Sequence, residues 1–129
     1  MVEIEDLLPE ADSHFLSSAG YAFTVQKVDS EIHLIIKNFP LPCYVPQAAD
    51  LLIIIPNGYP QTKLDMFWTF PDVSLPRGGI PIKADVHEQK GGRNWQRWSR
   101  HIADGSWRPG VDNLRSYLSA VKKELAKGI

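Results

Sequence analysis

The chain has 129 residues, 43% of them hydrophobic and 22% charged, with a formal net charge of −1; that is one domain's length and a globular balance, which excludes a disordered segment and a coiled coil. Such a chain hides roughly two-thirds of its unfolded surface without help from disulfides or a structural metal, so a single domain over residues 1–129 is expected. The longest apolar run, Leu51-Leu52-Ile53-Ile54-Ile55, is too short to span a bilayer, the acidic start Met1–Asp6 lacks the order of a signal peptide, and a lone cysteine, Cys43, suits a reducing compartment, so no membrane association and a cytoplasmic location are expected.

In chain order, Leu7-Leu8-Pro9 through Leu16 predicts a short helix interrupted by Pro9 and ended by Ser17-Ser18-Ala19-Gly20. Tyr21 to Val28 alternates aromatic or β-branched residues with small or polar ones, which predicts a half-buried strand. Asp29-Ser30 turns the chain into a second strand, Ile32 to Lys37, completing a hairpin. Pro40, Pro42 and Pro46 remove three amide donors, so Phe39 to Pro46 reads as an extended connection. Ala49 to Ile55 is apolar on both faces and predicts a central third strand; Pro56-Asn57-Gly58-Tyr59-Pro60 is a turn, and Leu64 to Phe70 a fourth strand. Short connections between consecutive strands predict a four-stranded antiparallel meander.

Residues 71–93 hold three prolines and the pairs Gly78-Gly79 and Gly91-Gly92, and predict a long loop. The glycine pairs do not open a helix after a strand, so they read as flexibility, not as a phosphate cradle. Were Asn94 to His101 a helical turn, Trp95 and Trp98 would share a face. These rings and Trp107 read first as packing, with one ring available to a partner. Val111, Leu114, Leu118, Val121 and Leu125 form a single apolar stripe. It predicts an amphipathic helix over 111–127, with Asp112 at its positive start and Lys122, Lys123 and Lys127 at its negative end. A helix on an antiparallel meander makes the fold class α+β.

Charge is unevenly spread. Residues 1–31 carry seven acids against Lys27, a balance of −6, while residues 77–108 carry Arg77, Lys83, Lys90, Arg93, Arg97, Arg100 and Arg108 against Asp85, Glu88 and Asp104, a balance of +4. The basic segment suits acidic partners, but without consecutive basic residues no nucleic-acid partner is expected. His14, His33, His87 and His101 are far apart and no Cys-x-x-Cys pair exists, so no metal and no cofactor are expected.

The order helix, meander, long loop, Trp-x-Pro, helix resembles the ubiquitin-conjugating-enzyme (UBC) fold. Ile55-Pro56-Asn57-Gly58-Tyr59-Pro60, followed by Met66-Phe67-Trp68, is similar to that family's strand ending in Pro, then Tyr-Pro, then an aromatic strand. Trp107-Arg108-Pro109 is similar to its Trp-x-Pro before the next helix. Arg97-Trp98-Ser99-Arg100-His101 with Trp107-Arg108-Pro109-Gly110-Val111 resembles a bacterial branch of the superfamily. Members of that branch are found beside genes for ubiquitin-like proteins, ubiquitin-activating-type enzymes and deubiquitinase-like metalloproteases. The resemblance thus implies a ubiquitin-like protein and its activating enzyme as partners. The parent family carries the ubiquitin-like tail on a cysteine about eight residues before the Trp of Trp-x-Pro; here that count reaches Ser99, and no cysteine lies between 44 and 129. The family's His-Pro-Asn is also missing: His87-Glu88-Gln89 is the nearest fragment, and Asn94 is an asparagine in the same region.

Two readings follow. In the first, the chain binds a ubiquitin-like protein or its activating enzyme without a cysteine thioester, through Arg97, Arg100, Trp98 and Arg108. In the second, it is an active acyl-transfer enzyme in which His101 is base or acyl acceptor, or Ser99 the nucleophile, with arginines holding an oxyanion or a carboxylate. A small α+β protein of unrelated function is the third alternative.

Overall fold

The computed structural model describes residues 7–102 and 105–129; the acidic start Met1–Asp6 and Asp104 lie outside them. Among the described residues, two helices and one six-stranded antiparallel sheet make the fold α+β. Helix α1 (Glu10–Ser18) follows Pro9, which sits in extended conformation at the cap, and Glu10 and Asp12 meet the positive end of the helix. Strands β1 (Phe23–Val28), β2 (Glu31–Pro40), β3 (Ala48–Ile55) and β4 (Phe67–Phe70) follow as the meander.

The sheet does not stop at four strands. Within the predicted loop, Val86–Lys90 forms β5, and Arg93–Trp98, the candidate helical turn, forms β6. The two make a hairpin about Gly91-Gly92, both in the left-handed region, and β6 pairs with β4 to give the order β1-β2-β3-β4-β6-β5. In a strand, residues three apart point to opposite faces. Trp98 therefore joins the main core and Trp95 a smaller cluster with Leu52 and Trp68 on the other face.

The inner face carries Leu34, Ile36, Leu51, Ile53, Phe67 and Trp98, all buried, and α2 (Leu114–Leu125) supplies Leu114, Tyr117, Leu118, Val121 and Leu125 to the same core. This helix is shorter than the predicted 111–127. Asn113 caps it by accepting from the Ser116 amide at 3.1 Å, while the Ser116 hydroxyl accepts from the Asn113 amide at 2.9 Å. Val111 lies in the preceding turn, 59% exposed, outside the apolar stripe. Leu118→Ala should cost about 2–5 kcal/mol, since Leu118 is buried at the centre of the stripe and truncation leaves a cavity; the urea midpoint measures it, and a loss below 1 kcal/mol would mean α2 is not a core helix.

The two motifs behind the resemblance meet in space. The Trp107 indole N–H donates to the Pro60 carbonyl at 2.9 Å, and its ring lies 6.3 Å from that of Tyr59. The Tyr59 hydroxyl in turn donates to Asp12 Oδ2 at 2.6 Å, tying α1 to the β3–β4 connection. Burial raises the Asp12 carboxyl above its ordinary value, with the Tyr59 hydrogen bond pulling it back, and burial beside that carboxyl raises the Tyr59 phenol. Among the described residues no helix is long and apolar enough to cross a membrane.

Candidate functional site

Strand alternation continues past the end of β6. Gln96, Trp98 and Arg100 are buried, at 2%, 0% and 6% exposure, whereas Arg97, Ser99 and His101 point outward. The Ser99 amide donates to the Lys83 carbonyl at 2.9 Å, which keeps this stretch extended against residues 82–84. The segment singled out by sequence therefore divides into a buried row and an outward row.

The buried row holds the fold together. Trp98 donates its indole N–H to Thr69 Oγ1 at 2.9 Å, stacks on Phe67 and meets Tyr44 edge-on. The Arg100 guanidinium lies 4.9 Å from the Trp98 ring, donates to the Ile82 carbonyl at 3.0 Å, to Glu124 on α2 at 3.4 Å, and to Ile129 O. Neither side chain presents its surface outward, so the structure places both of these suggested partner contacts inside the domain.

In the outward row, Arg97 Nε donates to Ser99 Oγ at 2.9 Å and its Nη1 to Glu88 at 3.0 Å. No hydrogen bond joins Ser99 to His101 among the described residues, so the hydroxyl has no adjacent base. His101 is half exposed, and its Nδ1 lies 3.0 and 3.1 Å from the two Asp65 carboxylate oxygens. This pairing leaves Nε2 without a partner among the described residues. Asp65 precedes β4, and its carbonyl and that of Met66 accept from the Tyr117 hydroxyl of α2 at 2.5 and 3.0 Å. Burial, then the Asp65 charge, pushes the Tyr117 phenol up, so it remains a donor.

His101 opens onto a groove of about 310 Å³, lined also by Ile82, Lys83, Arg100, Ile102, Glu124 and Ile129. Lys83 holds a left-handed backbone, φ 58°, rare for a side chain of its size. The Arg108 side chain is 72% exposed, its Nε reaches Asp112 only at 3.7 Å, and it does not line this groove. Cys43, the chain's only cysteine, lies elsewhere: its Sγ is 3.8 Å from the Ala126 carbonyl, in a separate groove of about 280 Å³ with Pro40, Pro42, Lys122, Leu125 and Ala126.

Sequence reasoning finds His101 but misses Asp65, Lys83 and Tyr117. Asp65 stands 36 residues from His101 within a stretch that reads as strand, and no local pattern marks it as the partner of an imidazole.

A family model, the prokaryotic E2 family E, matches residues 8–128. The chain belongs to this prokaryotic E2 family. Comparisons with curated proteins and with solved structures gave no match. For this E2-family protein the matched span includes every element of the fold, the Tyr-Pro and Trp-x-Pro segments that touch through Trp107 and Pro60, and the Asp65–His101 pair. Family membership therefore applies to residues 8–128, a span that contains the Asp65–His101 pair.

Proposed function

We propose that this UBC-like domain takes part, in the cytoplasm, in conjugating a ubiquitin-like protein delivered by a ubiquitin-activating-type enzyme, with His101 as general base and no cysteine thioester on this chain. The observation that carries the reading is the Asp65–His101 pair at 3.0 Å beside the groove that His101 lines, with Nε2 left unpartnered among the described residues. A carboxylate on Nδ1 fixes the tautomer and leaves Nε2 as an acceptor, as in triads built on a histidine. In the step, an acceptor amine attacks the carbonyl of the donor's thioester while Nε2 takes the amine proton. The C–S bond breaks, the leaving thiolate takes that proton back from the imidazolium, and an amide and a thiol result. Lys83, which lines the groove, supplies positive charge near the developing oxyanion.

The alternative reading, a binding module without catalysis, draws support from Ser99, whose hydroxyl accepts from Arg97 and has no adjacent base, and from the exposed Arg108 side chain. A peptide thioester ending in Gly-Gly, with lysine as acceptor, separates the two. Wild-type protein should accelerate aminolysis, His101→Ala should lose about 10²–10⁴-fold of that rate, and Asp65→Asn should lose part of it. Affinity for the corresponding unreactive amide should stay the same in both variants. Wild-type rates equal to the uncatalysed background, with the amide still bound, would replace the catalytic reading by the binding module. Loss of activity in Cys43→Ser instead would assign the chemistry to the thiol.

A further inference from the structure

The outer face of the sheet, away from α2, is roofed by the β5–β6 hairpin. Arg93 lies over the rings of Phe70 and Trp95, at 4.3 and 5.4 Å, and bonds Asp50 at 2.9 Å. Lys90 lies 5.8 Å from the Trp68 ring and reaches Glu31 at 3.4 Å. Between this roof and strands β1 and β2 runs a groove of about 260 Å³, lined among others by Thr24, His33, Ile35, Lys37, Lys90 and Arg93.

Three features of this groove point to a ligand. Its charged lining is cationic throughout: Glu31 and Asp50 each hold one cation from outside it, using one donor of Lys90 and one of Arg93 and leaving the rest of their hydrogens available. Lys37 is exposed and has no ion-pair partner among the described residues. His33 is 2% exposed, spends Nε2 on Glu31 at 3.1 Å, and has no partner for Nδ1 among the described residues. That Nδ1 faces the hairpin turn, 4.0 Å from where a Cβ on Gly91 would stand.

We propose that this groove is a binding site for a small molecule carrying a phosphate group. A tetrahedral dianion needs several donors, and Arg93, Lys90, Lys37 and Thr24 all line this groove, with Ile35 as an apolar wall for the organic part. The volume of about 260 Å³ suits a small phosphate ester. The site is separate from the His101 groove and shares no lining residue with it.

The test is a titration of the ¹⁵N-labelled full chain with pyrophosphate and with AMP, at constant ionic strength, using adenosine and sodium chloride as controls. Saturable shifts should appear at Thr24, His33, Lys37 and Gly91 with the phosphate probes only, and Lys37→Gln, which changes an exposed residue, should weaken binding about 10-fold, as loss of one charged hydrogen bond does. Equal shifts with chloride, shifts centred elsewhere, no saturation at millimolar probe, or unchanged affinity in Lys37→Gln would each overturn the proposal. Saturation by a poly-glutamate peptide but not by either phosphate probe would overturn it in favour of an acidic polypeptide.

Discussion

Replacing Gln96 with leucine should destabilise the domain by about 3–5 kcal/mol. Gln96 is 2% exposed, and its amide makes four hydrogen bonds. Oε1 accepts from the Val73 amide at 2.8 Å and from the Thr69 hydroxyl at 3.0 Å, while Nε2 donates to the carbonyls of Val73 and Ala84, both at 3.0 Å. Leucine fills similar space but leaves the Val73 N–H and two carbonyls buried and unpaired, each costing about 1–3 kcal/mol with incomplete additivity. The chain of bonds runs further, since the same Thr69 hydroxyl accepts from Trp98. Gln96 thus pins both connections of the predicted loop, residues 71–74 and the stretch before β5, to the strand that leads to His101. Urea denaturation measures the loss; a change within 1 kcal/mol would show that the connections hold without it. Hydrogen exchange at Val73 should accelerate in the same variant.

That glutamine also shows why part of the fold was hidden in the sequence. β1 and β2 are legible because one face buries apolar residues at every second position, as Leu34 and Ile36 do, and β3 and β4 because they are apolar or aromatic runs between turn signals. In β6 the inward row is Gln96, Trp98 and then Arg100, two of the three polar, so alternation of hydrophobicity vanishes although alternation of burial persists. In β5 only Glu88 and Lys90 are half-covered, both charged, and the Gly91-Gly92 turn reads as a flexible joint. The last helix was legible in its stripe but not in its start, because the cap is the Asn113–Ser116 exchange and not the preceding Pro109-Gly110. At the site, His101 was legible as an isolated imidazole between motifs. Its orienting carboxylate was not, because a contact between the β4 approach and the end of β6 exists only once those strands pair.

Arg100→Leu should cost about 3 kcal/mol or more of stability, whereas Arg108→Leu should stay within about 0.5 kcal/mol. The two arginines look alike in sequence and differ in what surrounds them. Arg108 is 72% exposed with a loose contact to Asp112 at 3.7 Å. Arg100 is 6% exposed and clamps α2 to the end of β6, through Glu124 at 3.4 Å and the Trp98 ring at 4.9 Å, while holding the Ile82 carbonyl at 3.0 Å. Leucine would pack against Trp98 but leave that carbonyl without its donor and the Glu124 carboxylate with Lys127 alone, at 3.1 Å, and breaking a partly buried pair costs more than the pair was worth. Glu124→Gln should therefore restore part of the loss when combined with Arg100→Leu, as a double-mutant cycle on urea midpoints would show. Tryptophan fluorescence should report loosening around Trp98 in Arg100→Leu alone. This matters for any partner assay on the outward row: weakened binding in Arg100→Leu reflects a displaced groove wall, while weakened binding in Arg108→Leu reflects a lost surface contact. An Arg100→Leu protein as stable as wild type that nonetheless loses its partner would mean that the guanidinium turns outward to the partner and not inward to Glu124.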